Sequence, residues 1–267
     1  PGDLAFFDGI QKAKHPGLPL FAIPTTAGTG SETTPASVIT DSKTHRKIAV
    51  ADGKLVPHYV ALDAELTRTM PPRITAATGM DALSHNLEAL CSPFYHPMAD
   101  GVAVEGISLV HRYLARAVAD GGDIEARTQM LVCSSMGATA FQKGLGAMHA
   151  LAHPLGALYD AHHGTLNAIL MPYVLKANRS AIEEKIDRLN RYLGLAKGGF
   201  DGFLDWVVEL RAQLGIPHTL AAINIDDHDS ETVGRMAVAD PSAGGNPINL
   251  RSEDYRRIFQ DAVTGQL

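Results

Sequence analysis

Four histidines fall within 15 residues of the segment GLGAMHALAHPLGALYDAHHG, residues 144–164: His149, His153, His162 and His163. His149 and His153 are four apart, so on a helix they share one face, one turn from each other. In GMDALSHNLEA, Asp81 and His85 are also four apart. Two helices, each presenting such a pair, could close around one metal ion. A single pair at this spacing is more often a satisfied core or a solvated face. Two pairs plus His162–His163 shift that balance, because burying so many titratable rings among Leu, Met and Ala is costly without partners. A divalent cation satisfies them together, and imidazole with carboxylate suits iron or zinc.

Helices must position these groups, and the sequence from Pro72 onward reads as helical. Met80, Leu83, Leu87 and Leu90 recur at helical spacing as a core-facing stripe. Asp81, His85 and Glu88 form the neighbouring stripe, with Glu88 either a partner of a metal ligand or a surface residue. Further helices are expected at about 98–118, opened by Pro97, and from a cap at Asp123 to about Phe141. Pro154 follows His153 and disfavours helix there. A kink turning the His153 ring away from the His149 stripe is therefore expected. A helix from Gly164 to about Ala177 follows, then amphipathic helices at Ser180–Gly194, Phe200–Leu214 and Ser230–Val238. The turn-rich run 239–250 reads as a loop, and Ser252 as the N-cap of the last helix.

Ahead of these helices the pattern is strand-rich and incomplete. A short helix Leu4 to Lys14 is expected, then a buried strand in LPLFAIP, 18–24. The small-residue loop TTAGTGSETT, 25–34, offers hydroxyls and amides that could cradle a phosphate or sugar, although a plain turn is the simpler reading. It lacks the lysine of a P-loop. ASVITD and RKIAVADG alternate around a DSKTH turn as a β-hairpin, and VPHYVALD is another short strand. Asp63 reads as the cap of the helix AELTRTM. Only a remnant of a parallel nucleotide-binding sheet is present. The expected fold is thus an α/β remnant plus all-α: residues 1–70 as part of a dinucleotide-binding α/β domain, and 71–267 as a helical-bundle metal-binding domain.

Length and composition bound the function. A chain of 267 residues with 45% hydrophobic content can bury a large core. A net charge of −6, with no block of Lys or Arg, argues against nucleic acid and against an anionic membrane surface. The apolar runs are too short to span a membrane. The two cysteines, Cys91 and Cys133, sit in helix-like segments, which argues for a reducing cytoplasm rather than a disulfide framework. The start, PGDLAFFDGIQ, has no initiator Met and no signal-peptide pattern, and is read as a chain beginning in mid-protein.

The segments IPTTAGTGSE, VITD, MPPRITAATGMDALSHNLEA, SPFYHPMAD, GLGAMHALAHPLGALYDAHHG and DPSAGGNP together resemble the iron-containing (group III) alcohol dehydrogenases, in that family's order and over nearly the whole chain. The resemblance implies an oxidoreductase that transfers a hydride between a primary or small secondary alcohol and NAD or NADP. It implies Asp81, His85, His149 and His163 as ligands of Fe(2+), with Zn(2+) as the alternative, and His153 near the metal but not bound to it. Thr25, Thr26, Gly28, Thr29, Ser31, Thr34 and Lys47 match cofactor-contacting positions, and Phe141 a position lining the substrate pocket. A homodimer or larger homo-oligomer is implied as well. The family's GGGS-type phosphate-binding turn should lie upstream of Pro1, so the cofactor site looks halved while the metal site looks complete.

On this reading the metal acts as a Lewis acid on the alcohol or carbonyl oxygen. His153 is the candidate proton relay, its alternative role being a hydrogen bond that orients a ligand. His162, next to a ligand on the helix, should face elsewhere. His15, His45, His58, His96, His111, His218 and His228 are expected in turns or on polar faces. Two other functions remain open from sequence: a lyase or hydrolase using the same Asp/His cage, and an inactive metal-binding fragment.

Overall fold

Helix α1, Pro72–Cys91, lies at the middle of the helical region, with α2, α3 and α5 packed against it. Pro72 stands at its first position, where a missing N–H costs nothing. Ser92 ends it, because the residue before Pro93 is driven to extended backbone, ψ 142°. The computed structural model describes residues 4–40 and 47–267. The remaining helices are α2 (Pro97–Ala119), α3 (Ile124–Ala140), α4 (Ala147–Tyr159), α5 (His163–Leu193), α6 (Gly199–Gln213), α7 (Ser230–Ala239) and α8 (Ser252–Thr264). Among the described residues, five strands precede them: β1 (Gly9–Ile10), β2 (Phe21–Ala22), β3 (Ala36–Thr40), β4 (Lys47–Ala51) and β5 (Tyr59–Val60). The fold is therefore a small α/β remnant followed by an all-helical region. No helix among the described residues is long and apolar enough to cross a membrane.

The strands form two small sheets. β4 pairs parallel with β1 and antiparallel with β3, in the register Val38 opposite Ala49. β2 pairs parallel with β5. The hairpin is thus present, while its DSKTH turn lies outside the described residues. The expected helix 4–14 is instead a single 3-10 turn, Leu4–Phe7, followed by β1. Gly9 is a poor helix residue, and the open edge of β4 offers its backbone a ladder partner. The expected buried strand 18–24 shrinks to Phe21–Ala22, with Leu18 and Phe21 exposed, because a two-stranded sheet has too few neighbours to cover both faces.

In the helical region, Asp123 caps α3 by accepting from the Ala126 amide at 2.9 Å. Helix α1 departs from the amphipathic expectation. It is buried nearly all round, so Asp81, Ser84, His85, Asn86 and Glu88 lie inside the protein together with its leucines. The two helices expected at about 164–177 and 180–194 are one 31-residue helix, α5. The polar residue at the expected break, Asn178, is buried, and its amide pairs both ways with the Asn246 amide at 2.8 Å. A tertiary contact thereby removes the local reason to stop. The last helix begins at Ser252, but its N-cap is Arg251, whose amide donates to Asp254 Oδ2 at 2.9 Å. Cys91 and Cys133 are free and buried.

Candidate metal centre

Asp81, His85, His149 and His163 meet at one point between α1, α4 and the start of α5, with one potential ligand atom from each lying within 4.8 Å of all the others. Asp81 Oδ1 is 3.9 Å from His85 Nε2, 3.9 Å from His149 Nε2 and 3.5 Å from His163 Nε2. A cation with bonds of about 2.0–2.2 Å places its ligands roughly 3–3.5 Å apart, so the cluster is close to the spacing such an ion requires. The donor set also fits: one carboxylate and three imidazoles suit iron or zinc.

Each side chain is aimed by an identifiable contact. His85 and Asp81 share a face of α1 by their spacing, and His85 Nδ1 is 3.2 Å from the Gly28 carbonyl, leaving Nε2 for the cluster. Glu88, one turn on, is buried rather than superficial. It accepts from the Gly146 and Met148 amides at 2.9 and 2.7 Å, so a carboxylate of α1 satisfies the N-terminus of α4. Its Oε2 also accepts a hydrogen bond from His149 Nδ1 at 2.7 Å, which turns His149 Nε2 toward Asp81. Asn246 Oδ1 accepts the Ala147 amide at 3.1 Å and completes this end of the helix. His163 arrives because α5 starts against α1: a Cβ at Gly164 would lie 2.2 Å from the Ala77 carbonyl oxygen. Asp160, in left-handed backbone at φ 50°, ends α4 and makes the short turn between the two helices.

The electrostatics match a site that holds a cation. Burial alone would raise the Asp81 carboxyl, but the three imidazoles and Asn167 overcome it and bring it down to about 2. Burial holds His149 well below the usual imidazole range, reinforced by the neighbouring rings of His85 and His163, and it lowers His163 in the same way. Neutral imidazoles and a charged carboxylate are the forms that ligate. Burial pushes Glu88 up to about 7 against the pull of its backbone donors.

His153 sits beside the four rather than among them. Helix α4 runs through Pro154 without a break, and the expected turning-away is absent: the His153 ring lies 5.9 Å from that of His149 and stacks 5.5 Å from that of His163. Its Nδ1 is instead 2.8 Å from Asp240 Oδ2. Burial works against the Asp240 carboxylate, yet His153 and the Ser242 amide hold it below the usual range. His162 is exposed and caps α5 through the Thr165 amide. Among the other histidines, His96 caps α2 and His111 packs edge-on to Trp206, while His45 lies outside the described residues.

The loop 25–34 borders the centre. Gly30, at φ 57°, packs so tightly on α3 that a Cβ would lie 2.3 Å from Ala138 Cβ and 2.5 Å from the Ser134 carbonyl oxygen. Buried Glu32 accepts from Ser135 Oγ and fastens the loop to the same helix. Thr25, Thr29 and Ser31 are exposed and Thr26 is half-buried, and the Thr29 and Ser31 hydroxyls hydrogen-bond to each other at 2.9 Å. Thr34 is buried and its hydroxyl serves Ala36. Lys47 is in β4, but its side chain lies outside the described residues. The Phe141 ring is 5.0 Å from that of His85, at the edge of the cluster. Sequence reasoning missed Asp240 and Asn167. Asn167 carried a readable signal, since it is one turn after His163 on one helix face. Asp240 opens DPSAGGNP, one of the segments that carry the resemblance, but no spacing links it to His153, 87 residues away.

The chain matches known proteins along most of its length. The C-terminal region of the Fe-containing alcohol dehydrogenase family matches residues 75–263, and the iron-containing alcohol dehydrogenase family matches residues 3–64. The chain is 36% identical over 265 residues to alcohol dehydrogenase 4 of Schizosaccharomyces pombe, covering 98% of this chain and 63% of that protein. It is 35% identical over 269 residues to the NAD-dependent methanol dehydrogenase of Bacillus methanolicus, covering 98% of this chain and 71% of that one. Its structure superposes on an alcohol dehydrogenase from Oenococcus oeni with a TM-score of 0.93 and 36% identity, over 97% of this chain and 70% of that one. The chain therefore spans roughly two thirds of its relatives' length. It belongs to the Fe-containing alcohol dehydrogenase family.

Proposed function

We propose that the protein oxidises a primary or small secondary alcohol, or reduces the corresponding carbonyl compound, with NAD or NADP as hydride partner. The observation that carries this is the convergence of Asp81, His85, His149 and His163 beside a hydroxyl-lined loop. Iron(2+) is the metal we favour over zinc: four protein ligands leave zinc little room for substrate, whereas iron readily reaches higher coordination. A cation held there supplies Lewis acidity to the alcohol or carbonyl oxygen, and a nicotinamide supplies the hydride chemistry.

The chain's own residues do the rest. Glu88 and the Gly28 carbonyl orient His149 and His85. His163 of the cluster and the neighbouring His153 are partly exposed, and they mark the side from which an alcohol enters. His153 Nδ1 is held by Asp240, which leaves Nε2 to take the alcohol proton or return it. Thr25, Thr26, Thr29 and Ser31, with Gly28 behind them, form the cofactor side, to which Thr34 and Lys47 belong by sequence pattern. Phe141 borders the substrate. On this reading residues 1–70 are the cofactor part and 71–267 the metal part of a cytoplasmic homo-oligomer.

The test is alcohol-dependent formation of NADH or NADPH by the iron-reconstituted protein across short-chain primary alcohols. Turnover that disappears on chelation and returns with Fe(2+) supports the reading. Metal-dependent hydrolysis or elimination with no nicotinamide binding would replace it.

A further inference from the structure

At the centre of the cluster is a residue with no assigned part. Asn167, on α5 one turn after His163, is fully buried. Its Nδ2 lies 2.8 Å from Asp81 Oδ1, 3.2 Å from His149 Nε2 and 3.2 Å from His163 Nε2. One amide nitrogen thus touches three of the four atoms that would hold the metal. Its Oδ1 is buried and has no partner among the described residues. An orphaned buried acceptor is costly, so something must hold the amide in this sense. The three inward-facing acceptors do so. His149 Nδ1 donates to Glu88, so in the neutral ring Nε2 presents a lone pair, as does the Asp81 carboxylate. An oxygen turned inward would meet those lone pairs head-on.

We infer that Asn167 is a positioning residue of the metal centre. Its carboxamide holds Asp81, His149 and His163 converged, and its hydrogen bond to Asp81 keeps that carboxylate aimed when a cation is held there. This rests on the reading of the cluster as a metal site. An NH2 group has two hydrogens for three acceptors, so one of the three contacts is always unfilled. A cation takes the imidazole lone pairs and leaves the amide the bond to the carboxylate, the shortest and the charge-assisted one.

The test is Co(2+) binding to the metal-free chain, measured by chelator competition and by the visible spectrum, for wild type, Asn167→Leu and Asn167→Ala. Loss of an orienting hydrogen bond to a ligand costs about 10–100-fold in affinity, and both variants should show that loss with an altered cobalt spectrum. A packing role alone would lower the metal-free Tm and leave the spectrum unchanged. Wild type that binds no Co(2+) sinks the metal-site reading. Wild type that binds, with folded variants of equal affinity and identical spectrum, overturns the role of Asn167 alone. If neither variant folds, the structure of zinc-loaded wild type decides: Asn167 Nδ2 on the Asp81 carboxylate supports the inference, and a side chain turned away overturns it.

Discussion

The strand pair β2–β5 is wholly apolar in sequence, whereas helix α1 also carries Arg, Asp, His, Asn and Glu, yet it is α1 that is buried. Met80, Leu83 and Leu87 of α1 are completely buried, whereas Phe21 of β2 and Tyr59 of β5 are 64% and 63% exposed, their rings stacked 4.8 Å apart in the open. The difference is one of neighbours. α1 has helices on several sides, while β2 has β5 as its ladder partner. Complete burial gives α1 its chemistry: Asp81, His85 and Glu88 are held in low dielectric, where each needs a specific partner and so takes one geometry. In the loop 25–34, by contrast, Thr25, Thr29 and Ser31 are exposed, while Thr33 and Thr34 spend their hydroxyls on backbone groups.

Substitutions test this contrast. His149→Ala removes a donor from the buried side, and elemental analysis should find metal falling from stoichiometric to near zero; a variant that keeps its metal contradicts the ligand set. Glu88→Ala strips the N-terminus of α4 and the His149 ring of their shared acceptor. It should cost about 3–5 kcal/mol in denaturant unfolding, and a loss under about 1 kcal/mol would mean that water replaces the carboxylate. Gly164→Ala drives a methyl against the Ala77 carbonyl. About 1–3 kcal/mol of destabilisation is expected, with weaker metal retention as α5 moves from α1; unchanged metal affinity would show that His163 is not placed by this contact. Phe21→Ala, on the exposed side, should change stability by less than about 1 kcal/mol. A larger loss would show that β2 is more deeply packed than its exposure indicates.

How far the sequence alone could be read follows the same division. Spacing placed Asp81 with His85 on one helix face, and Pro72, Asp123 and the Pro97 start marked helix ends that the structure keeps, because capping is local. The continuity of α5 was not legible, since Asn178 is satisfied by Asn246, 68 residues away. The capture of His153 by Asp240, across 87 residues, was hidden for the same reason. The N-terminal strands were over-read: their apolar residues carry the pattern of buried strands, and pattern cannot reveal whether a neighbour covers them. Which side chains converge on the centre came from family resemblance, because four donors spread over 83 residues have no period to detect.

The most direct test of the central claim is an anomalous-scattering map at the iron edge from crystals of the protein loaded with Fe(2+). One peak bonded to Asp81, His85, His149 and His163 is the predicted result. No peak there at full loading, or an ion held by other residues while these four stay hydrogen-bonded around Asn167, would contradict the account.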